Sequence, residues 1–252
     1  MNPLELEGRI ALVTGGAKGI GRAICVKLAE AGADVAVNYL SSEQAAQETA
    51  KLVEQAGRRV QLVQADVSSP EQVDRMVADV ERTLGPVDLL VNNAGIFDYV
   101  SHNETTLEIW QKTFDVNCTS AYLVTWAVKN GMIERGFGRI VNVSSISALR
   151  PRPMGIAYSV SKAGMIALTK CFADAVAGDN IRVNAIAPGL IETEIIDGVD
   201  QSVLDGLIAA TPIRRIGQPD EIGDVVLFLL SERSSFMTGQ TLVASGGRVM
   251  LP

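Results

Sequence analysis

The 252-residue chain is poor in the residues that metal, disulfide and nucleic-acid chemistry needs. It has one histidine, His102, in the polar loop SHNETT. A histidine-based triad or a multi-histidine metal site therefore has no material, and His102 reads as solvated. Cys25, Cys118 and Cys171 are odd in number, far apart and without CxxC spacing. They read as small buried hydrophobes in a reducing, cytoplasmic compartment, with no metal site expected. Lys plus Arg total 22 against 29 Asp plus Glu, a net charge of -7. Neutralising phosphates needs concentrated Lys and Arg, so nucleic acid is not an expected partner. No stretch of 18 apolar residues occurs, and even the uncharged run 116–128 holds Asn, Thr and Ser. A membrane span is excluded. Glu5 and Glu7 stand where a secretory leader would be basic and then apolar, so none is expected.

What the chain does have is a 47% hydrophobic composition, enough to bury a core without staples. Short apolar, β-branched runs alternate with longer amphipathic segments. Strands are predicted at 9–13, 34–39, 60–65, 87–91, 139–143, 181–186 and 240–244. Helices are predicted at 19–31, 43–56, 71–84, 105–135, 157–177 and 219–230. Continuous apolar runs suit strands covered on both faces. Repeated βα units imply right-handed crossovers, and hence a doubly wound, Rossmann-type α/β fold with a parallel seven-stranded sheet. No linker, repeat or low-complexity tract interrupts the series, so residues 1–252 read as one domain. The less regular segment 188–217 holds Pro188, Gly189, Gly198, Pro212 and Gly217. A long loop of this kind is expected to be a lid over a site.

The first strand runs into Thr14-Gly15-Gly16-Ala17-Lys18-Gly19-Ile20-Gly21 and then a helix. Gly15 suits a tight turn, Gly19 removes a Cβ where a pyrophosphate must approach, and Gly21 lets the helix pack close on the strand. The helix N-terminus offers free N–H groups to phosphate. A dinucleotide cofactor is the expected ligand. An acid ending the next strand would accept bonds from a ribose and repel a 2′-phosphate. Here the strand ends Asn38-Tyr39-Leu40-Ser41-Ser42, with no acid before Glu43, and Lys18 adds a positive charge. That favours NADP over NAD, with Tyr39 and Ser41 near the distinguishing phosphate, although no arginine follows the strand to enforce the choice. A Tyr39→Asp change is expected to swing the preference.

Tyr158 and Lys162 are i and i+4, so they share a helical face. A free tyrosine, with a pKa of about 10, is a poor proton-transfer group near neutrality, and a nearby ammonium favours its phenolate. Reducing a ketone needs a proton for the developing alkoxide and a donor to hold that oxygen. Ser145, at a strand end 13 residues earlier, can be that donor. Ser144 competes for the role, but successive strand residues face opposite ways.

These pieces, with Asp66-Val67, Asn92-Asn93-Ala94-Gly95, Asn117, Val143-Ser144-Ser145, YSVSK at 158–162 and Pro188-Gly189 leading to Thr193, resemble the classical short-chain dehydrogenase/reductases. The resemblance covers nearly the whole chain. It implies that Tyr158 is the acid/base and that Ser145, rather than Ser144, polarises the substrate. It further implies that Lys162 binds the nicotinamide ribose and acidifies Tyr158, while Asn117 holds a water leading to solvent. Asp66 and Val67 would meet the adenine, Asn93, Ala94 and Gly95 the adenosine ribose, and Ile191 and Thr193 the nicotinamide amide.

The nearest resemblance is to bacterial 3-oxoacyl-[acyl-carrier-protein] reductases, through NVSSISA, NAIAPGLIETE and MTGQTLVASGG. It implies NADPH-dependent reduction of a ketone, such as a 3-oxoacyl thioester. A dehydrogenase running the same chemistry in reverse, on an alcohol or sugar, uses identical residues. A non-catalytic NADP-binding regulator would need none of the catalytic ones. One departure is the turn Ala177-Gly178-Asp179-Asn180, acidic where those reductases carry a basic residue to meet an acidic carrier; Arg135 remains in the turn before the serine strand. Recognition of a carrier protein is therefore not expected. Arg150 and Arg152 could instead meet a carboxylate or phosphate on a small substrate or a coenzyme A ester. Apolar residues around the helices 105–135 and 157–177, among them Trp126 and Phe172, predict a homotetramer, with the ending Arg248–Pro252 at a second interface.

Overall fold

The computed structural model describes residues 5–194 and 200–250. Residues 195–199 of the expected lid and the terminal Leu251 and Pro252 lie outside them. Seven parallel strands form one sheet: β1 (Ile10–Val13), β2 (Asp34–Tyr39), β3 (Val60–Gln64), β4 (Leu89–Asn92), β5 (Gly138–Val143), β6 (Ile181–Pro188) and β7 (Thr241–Ala244). Their order is β3-β2-β1-β4-β5-β6-β7. The order reverses between β1 and β4, which pair through Ala11 with Leu89 and Val13 with Val91. In open parallel sheets a ligand crevice opens at such a switch point, beyond the carboxyl ends of the strands.

The helices are α1 (Gly19–Glu30), α2 (Glu43–Gln55), α3 (Pro70–Thr83), α4 (Leu107–Phe114), α5 (Ser120–Arg135), α6 (Ile156–Val176), α7 (Gln201–Ala209) and α8 (Pro219–Leu230). Alternation along β1 divides the core. Ala11 and Val13 pack with Ile24 and Leu28 of α1 and with Ile222 and Val226 of α8. Ile10 and Leu12 face the other way, toward Val73 and Met76 of α3, Val124 and Val128 of α5, and Phe172 of α6. The central strands are buried on both faces, as their unbroken apolar runs require.

Three expectations need correction. The helix predicted over 105–135 is interrupted by a π-helical turn, Asp115–Thr119, between α4 and α5. A periodic pattern reads through one wider turn because a single added residue shifts the apolar face only partly. The segment 188–217 contains α7, whose start is capped by Asp200 accepting from Ser202 N at 2.8 Å. Flanking prolines and glycines masked this nine-residue helix. Of the cysteines, all free, only Cys25 is buried; Cys118 is half-buried and Cys171 exposed. His102 is exposed, as expected.

Candidate active site

The turn after β1 is built by contacts from neighbouring strand ends. Gly15 and Gly19 have φ of 61° and 55°. A Cβ on Gly21 would lie 2.2 Å from the Gly15 carbonyl oxygen, so any larger residue would open the turn. Asn38, buried in β2, accepts from Gly15 N at 3.2 Å and donates to the carbonyls of Val63 and Ala65. Asn93 donates to the Thr14 and Gly15 carbonyls, both at 3.0 Å. Thr14 Oγ1 accepts from the amides of Asn93 and Ala94. Sequence reading missed Asn38; a lone asparagine in an otherwise apolar strand was the signal. It also missed Arg22, which donates to Ala17 O at 3.2 Å and Thr49 Oγ1 at 3.0 Å, clamping the turn to α2.

Helix α1 begins at Gly19 with neither a side-chain cap nor an acid in its first turn. Its first amides are thus open to an anion. The segment after β6 lies directly across this point. A Cβ on Gly19 would come within 3.2 Å of Thr193 Cγ2. The Lys18 ammonium, expected to stand free for a phosphate, is ion-paired with Glu194. Gly189 N donates to Ala244 O at 2.9 Å, and Ile191, buried, bridges to Gly217. This fixes the strand end at Pro188 and aims residues 190–194 at the glycine turn.

At the end of β2, Tyr39 is buried against Ala17 and Ala46, whereas Ser41 is exposed. A carboxylate at position 39 would therefore be buried under the turn, rather than offered to a ribose as expected. Asp66 is half-buried; its Oδ1 accepts from the amide and hydroxyl of Ser68, at 2.9 and 2.6 Å, and shapes the turn ahead of α3. Val67, its neighbour, is buried in the core.

Beyond β5 the two serines diverge. Ser144 is buried and donates to Lys162 O at 2.8 Å, tying β5 to α6. Ser145 begins a 3₁₀ turn, Ile146–Ala148, accepts from Ser147 N at 3.1 Å, and lies close enough to Tyr158 to favour its phenolate. Tyr158 keeps a partly exposed ring, and Phe97 packs edge-on against it, ring centres 4.9 Å apart. Burial raises the Tyr158 phenol above its ordinary value, and Ser145 offsets this only in part. Lys162 is 3% exposed and donates to Val143 O at 2.9 Å, its ammonium 5.9 Å from the Tyr158 ring centre. Burial depresses it from the ordinary lysine value to about 8. Burial thus sets the direction of the shift at both Tyr158 and Lys162.

Asn117 lies in the π-turn, fully buried. Its Oδ1 accepts from Ile96 N at 2.7 Å, and its Nδ2 donates to Ile96 O at 2.9 Å and to Ser161 Oγ at 3.2 Å. The amide is thus spent on bracing the Gly95–Ile96 corner against α6. A Cβ on Gly95 would be 3.2 Å from both Asn117 Oδ1 and Lys162 Nζ, so these three residues meet at one point.

The turns holding Arg135 and Asp179 precede β5 and β6, at the opposite edge of the sheet from Ser145. Arg135 donates inward to Val87 O at 2.7 Å. Within one chain these residues do not border the site. Among the described residues no cluster of metal-ligating side chains occurs, and no helix is long and apolar enough to cross a membrane.

A family model described as enoyl-(acyl carrier protein) reductase matches residues 15–248. The chain is 43% identical over 241 residues to an acetoacetyl-CoA reductase of Rhizobium meliloti (strain 1021), covering 95% of this chain and 98% of that protein. It is 36% identical to a 3-oxoacyl-[acyl-carrier-protein] reductase of Aquifex aeolicus, covering 97% and 98%. A solved structure assigned as a short-chain alcohol dehydrogenase of Sinorhizobium meliloti 1021 superposes with a TM-score of 0.93 at 35% identity, over 98% of each chain. With the glycine turn, the strand-end serine and the paired tyrosine and lysine all at one edge of a parallel sheet, these matches place the chain in the short-chain dehydrogenase/reductase family of oxidoreductases.

Proposed function

We propose that the chain reduces the ketone of a 3-oxoacyl thioester to a secondary alcohol with NADPH, and that Tyr158 supplies the proton. The observation that carries this reading is the buried Lys162 ammonium at the carboxyl end of β5, 2.9 Å from Val143 O and 5.9 Å from the Tyr158 ring centre, with Ser145 two residues beyond Val143. The glycine cradle fits a dinucleotide, because Gly15 and Gly19 hold a left-handed turn and the first amides of α1 are uncapped. On this reading Gly15, Gly16, Ala17, Gly19, Ile20 and Gly21 hold the pyrophosphate, and Lys18 and Ser41 face the 2′-phosphate. Asp66 and Val67 border the adenine, and Asn93, Ala94 and Gly95 the adenosine ribose. Pro188, Gly189, Ile191 and Thr193 border the nicotinamide, and Lys162 and Tyr158 its ribose. Bound NADPH supplies a hydride to the carbonyl carbon.

The rest of the chemistry belongs to the protein. On this reading the hydroxyls of Ser145 and Tyr158 both donate to the substrate oxygen as its charge develops. Because burial raises the Tyr158 phenol, it is protonated at neutral pH and is ready to give a proton to that oxygen. Lys162, near 8, can pass a proton back to Tyr158 at the pH where the enzyme works. On this reading residues 188–194 and 200–217, including α7, would cover the substrate. The exposed ladder of Tyr122 and Trp126 beside Phe172, with ring centres 4.4 and 5.2 Å apart, supports assembly into a tetramer.

Steady-state NADPH oxidation with acetoacetyl-CoA tests the reading. Tyr158→Phe should keep NADPH binding and lose about 10²- to 10⁴-fold in turnover. Retention of a tenth or more of wild-type turnover would show that Tyr158 is not the proton donor.

A further inference from the structure

Aromatic residues are scarce, 5% of the sequence, yet three of them meet at the proposed proton donor. Phe97 packs edge-on against Tyr158, ring centres 4.9 Å apart and planes at 68°. Tyr99 packs edge-on against Phe97 in turn, at 6.2 Å and 62°. Exposure climbs along the row: Tyr158 is half-buried, Phe97 is 38% exposed and Tyr99 71%. Single apolar residues at a surface need no explanation. A row of rings that starts on the proposed acid and runs out to solvent does need one. It leaves apolar surface wet beside the place a substrate must reach.

The row is held from both ends. Residues 93–100 form no helix or strand, yet both backbone groups of Ile96 bond to the Asn117 amide, at 2.7 and 2.9 Å. Val100 O accepts from Gly155 N at 3.0 Å. Gly155 stands immediately before α6, the helix that carries Tyr158 and Lys162. Its φ of 81° favours glycine, and a Cβ there would lie 2.9 Å from Phe97 Cε2. The Phe97 ring thus fills the space that a side chain at 155 would take. With Ile96 and Val100 both tied down, the aromatic surface is formed before any substrate arrives. An alkyl group can bind such a surface with little cost of ordering the protein.

Building on the reading of the chain as a 3-oxoacyl thioester reductase, we infer that Phe97 is a specificity-determining residue. With Tyr99 it forms an aromatic wall that takes the alkyl tail of the substrate's ketone. A ketone held at Tyr158 has two substituents, an alkyl tail and an arm whose thioester carbonyl lies two carbons away. The Phe97 side chain has no donor to replace the water that a thioester carbonyl would lose against it. Methylenes lose nothing there and gain from leaving water. A methylene taken fully out of water improves binding about 4-fold, and a wall on one side gives about 2-fold.

The test follows kcat/KM through N-acetylcysteamine thioesters of 3-oxo acids with four, six and eight carbons. In the wild type kcat/KM should rise about 5- to 20-fold from the shortest to the longest. Phe97→Ala should flatten this rise, losing about 5- to 20-fold on the eight-carbon substrate and under about 3-fold on the four-carbon one. Phe97→Leu, also apolar, should keep most of the rise. Tyr99→Ala, at an outward position, should lower the eight-carbon value alone, and it stands in if Phe97→Ala does not fold. An equal loss at every length would overturn the inference, because Phe97 would then act only by holding the Tyr158 ring. So would a wild type indifferent to chain length. If the wild type reduced no thioester, the functional reading would fail, and binding would still decide the wall. Calorimetric titration of the NADP⁺-saturated protein with alkan-2-ones of four to eight carbons should show affinity rising with length in the wild type and flat in Phe97→Ala. Flat affinity in both would overturn the inference.

Discussion

Lys162→Met keeps the side chain's length and removes its charge, and it is expected to stabilise the cofactor-free protein while abolishing its function. Burial holds the lysine near 8 in the fold, against 10.5 for an ordinary lysine. At about 1.36 kcal/mol per pH unit, carrying the charge costs the folded state roughly 3 kcal/mol at pH 7. Methionine loses the 2.9 Å bond to Val143 O, worth about 1 kcal/mol. The net expectation is a variant about 2 kcal/mol more stable at pH 7. The sign of the pH dependence follows from proton counts. Between pH 8 and 10.5 the unfolded lysine still holds its proton and the folded one has released it, so wild-type stability rises with pH. The advantage of methionine should shrink by about 1.4 kcal/mol between pH 7 and pH 9, because only the wild type gains. Urea unfolding of both proteins at the two pH values measures this, and taking the difference between them cancels every other titrating group. A variant less stable than wild type at pH 7, or a gap that stays constant to pH 9, would refute the argument. A stabilised, inactive variant would mean that the fold tolerates a costly buried charge for the sake of the reaction.

Glu194→Gln should release Lys18 from its ion pair and raise NADPH affinity about 2- to 5-fold, leaving NADH unchanged; the pair is about half exposed, which keeps the effect small. Fluorescence titration with both cofactors reads it, and an unaltered ratio would remove Lys18 from the 2′-phosphate site. The two adjacent serines should separate stability from turnover. Ser144→Ala loses a buried bond to Lys162 O and should cost about 1–3 kcal/mol in urea, whereas Ser145→Ala should leave stability nearly unchanged and slow NADPH oxidation. Reversed outcomes would exchange their roles. Light scattering at micromolar concentration should give a tetramer mass, and a monomer mass would leave Trp126 and its neighbours without a partner.

The sequence alone determined the architecture and pointed to the candidate site residues. Seven unbroken apolar runs alternating with amphipathic segments can bury their surface only as a doubly covered parallel sheet, and that is the sheet observed. Gly15, Gly19 and Gly21 are legible because a tight turn and a close helix approach admit almost nothing else. The i, i+4 spacing of Tyr158 and Lys162 is legible because helical geometry is local. Other features depend on groups far apart in the chain. Whether Lys18 is free depends on Glu194, 176 residues away, and whether Tyr39 is accessible depends on α2 and the glycine turn. That Arg135 and Asp179 lie away from the site follows from strand direction, and their spacing in the sequence does not reveal it. Sequence patterns report local geometry and solvent preference. Which charges neutralise one another, and which desolvation dominates at Tyr158 and Lys162, is decided by distances and burial that arise only once the chain has closed on itself.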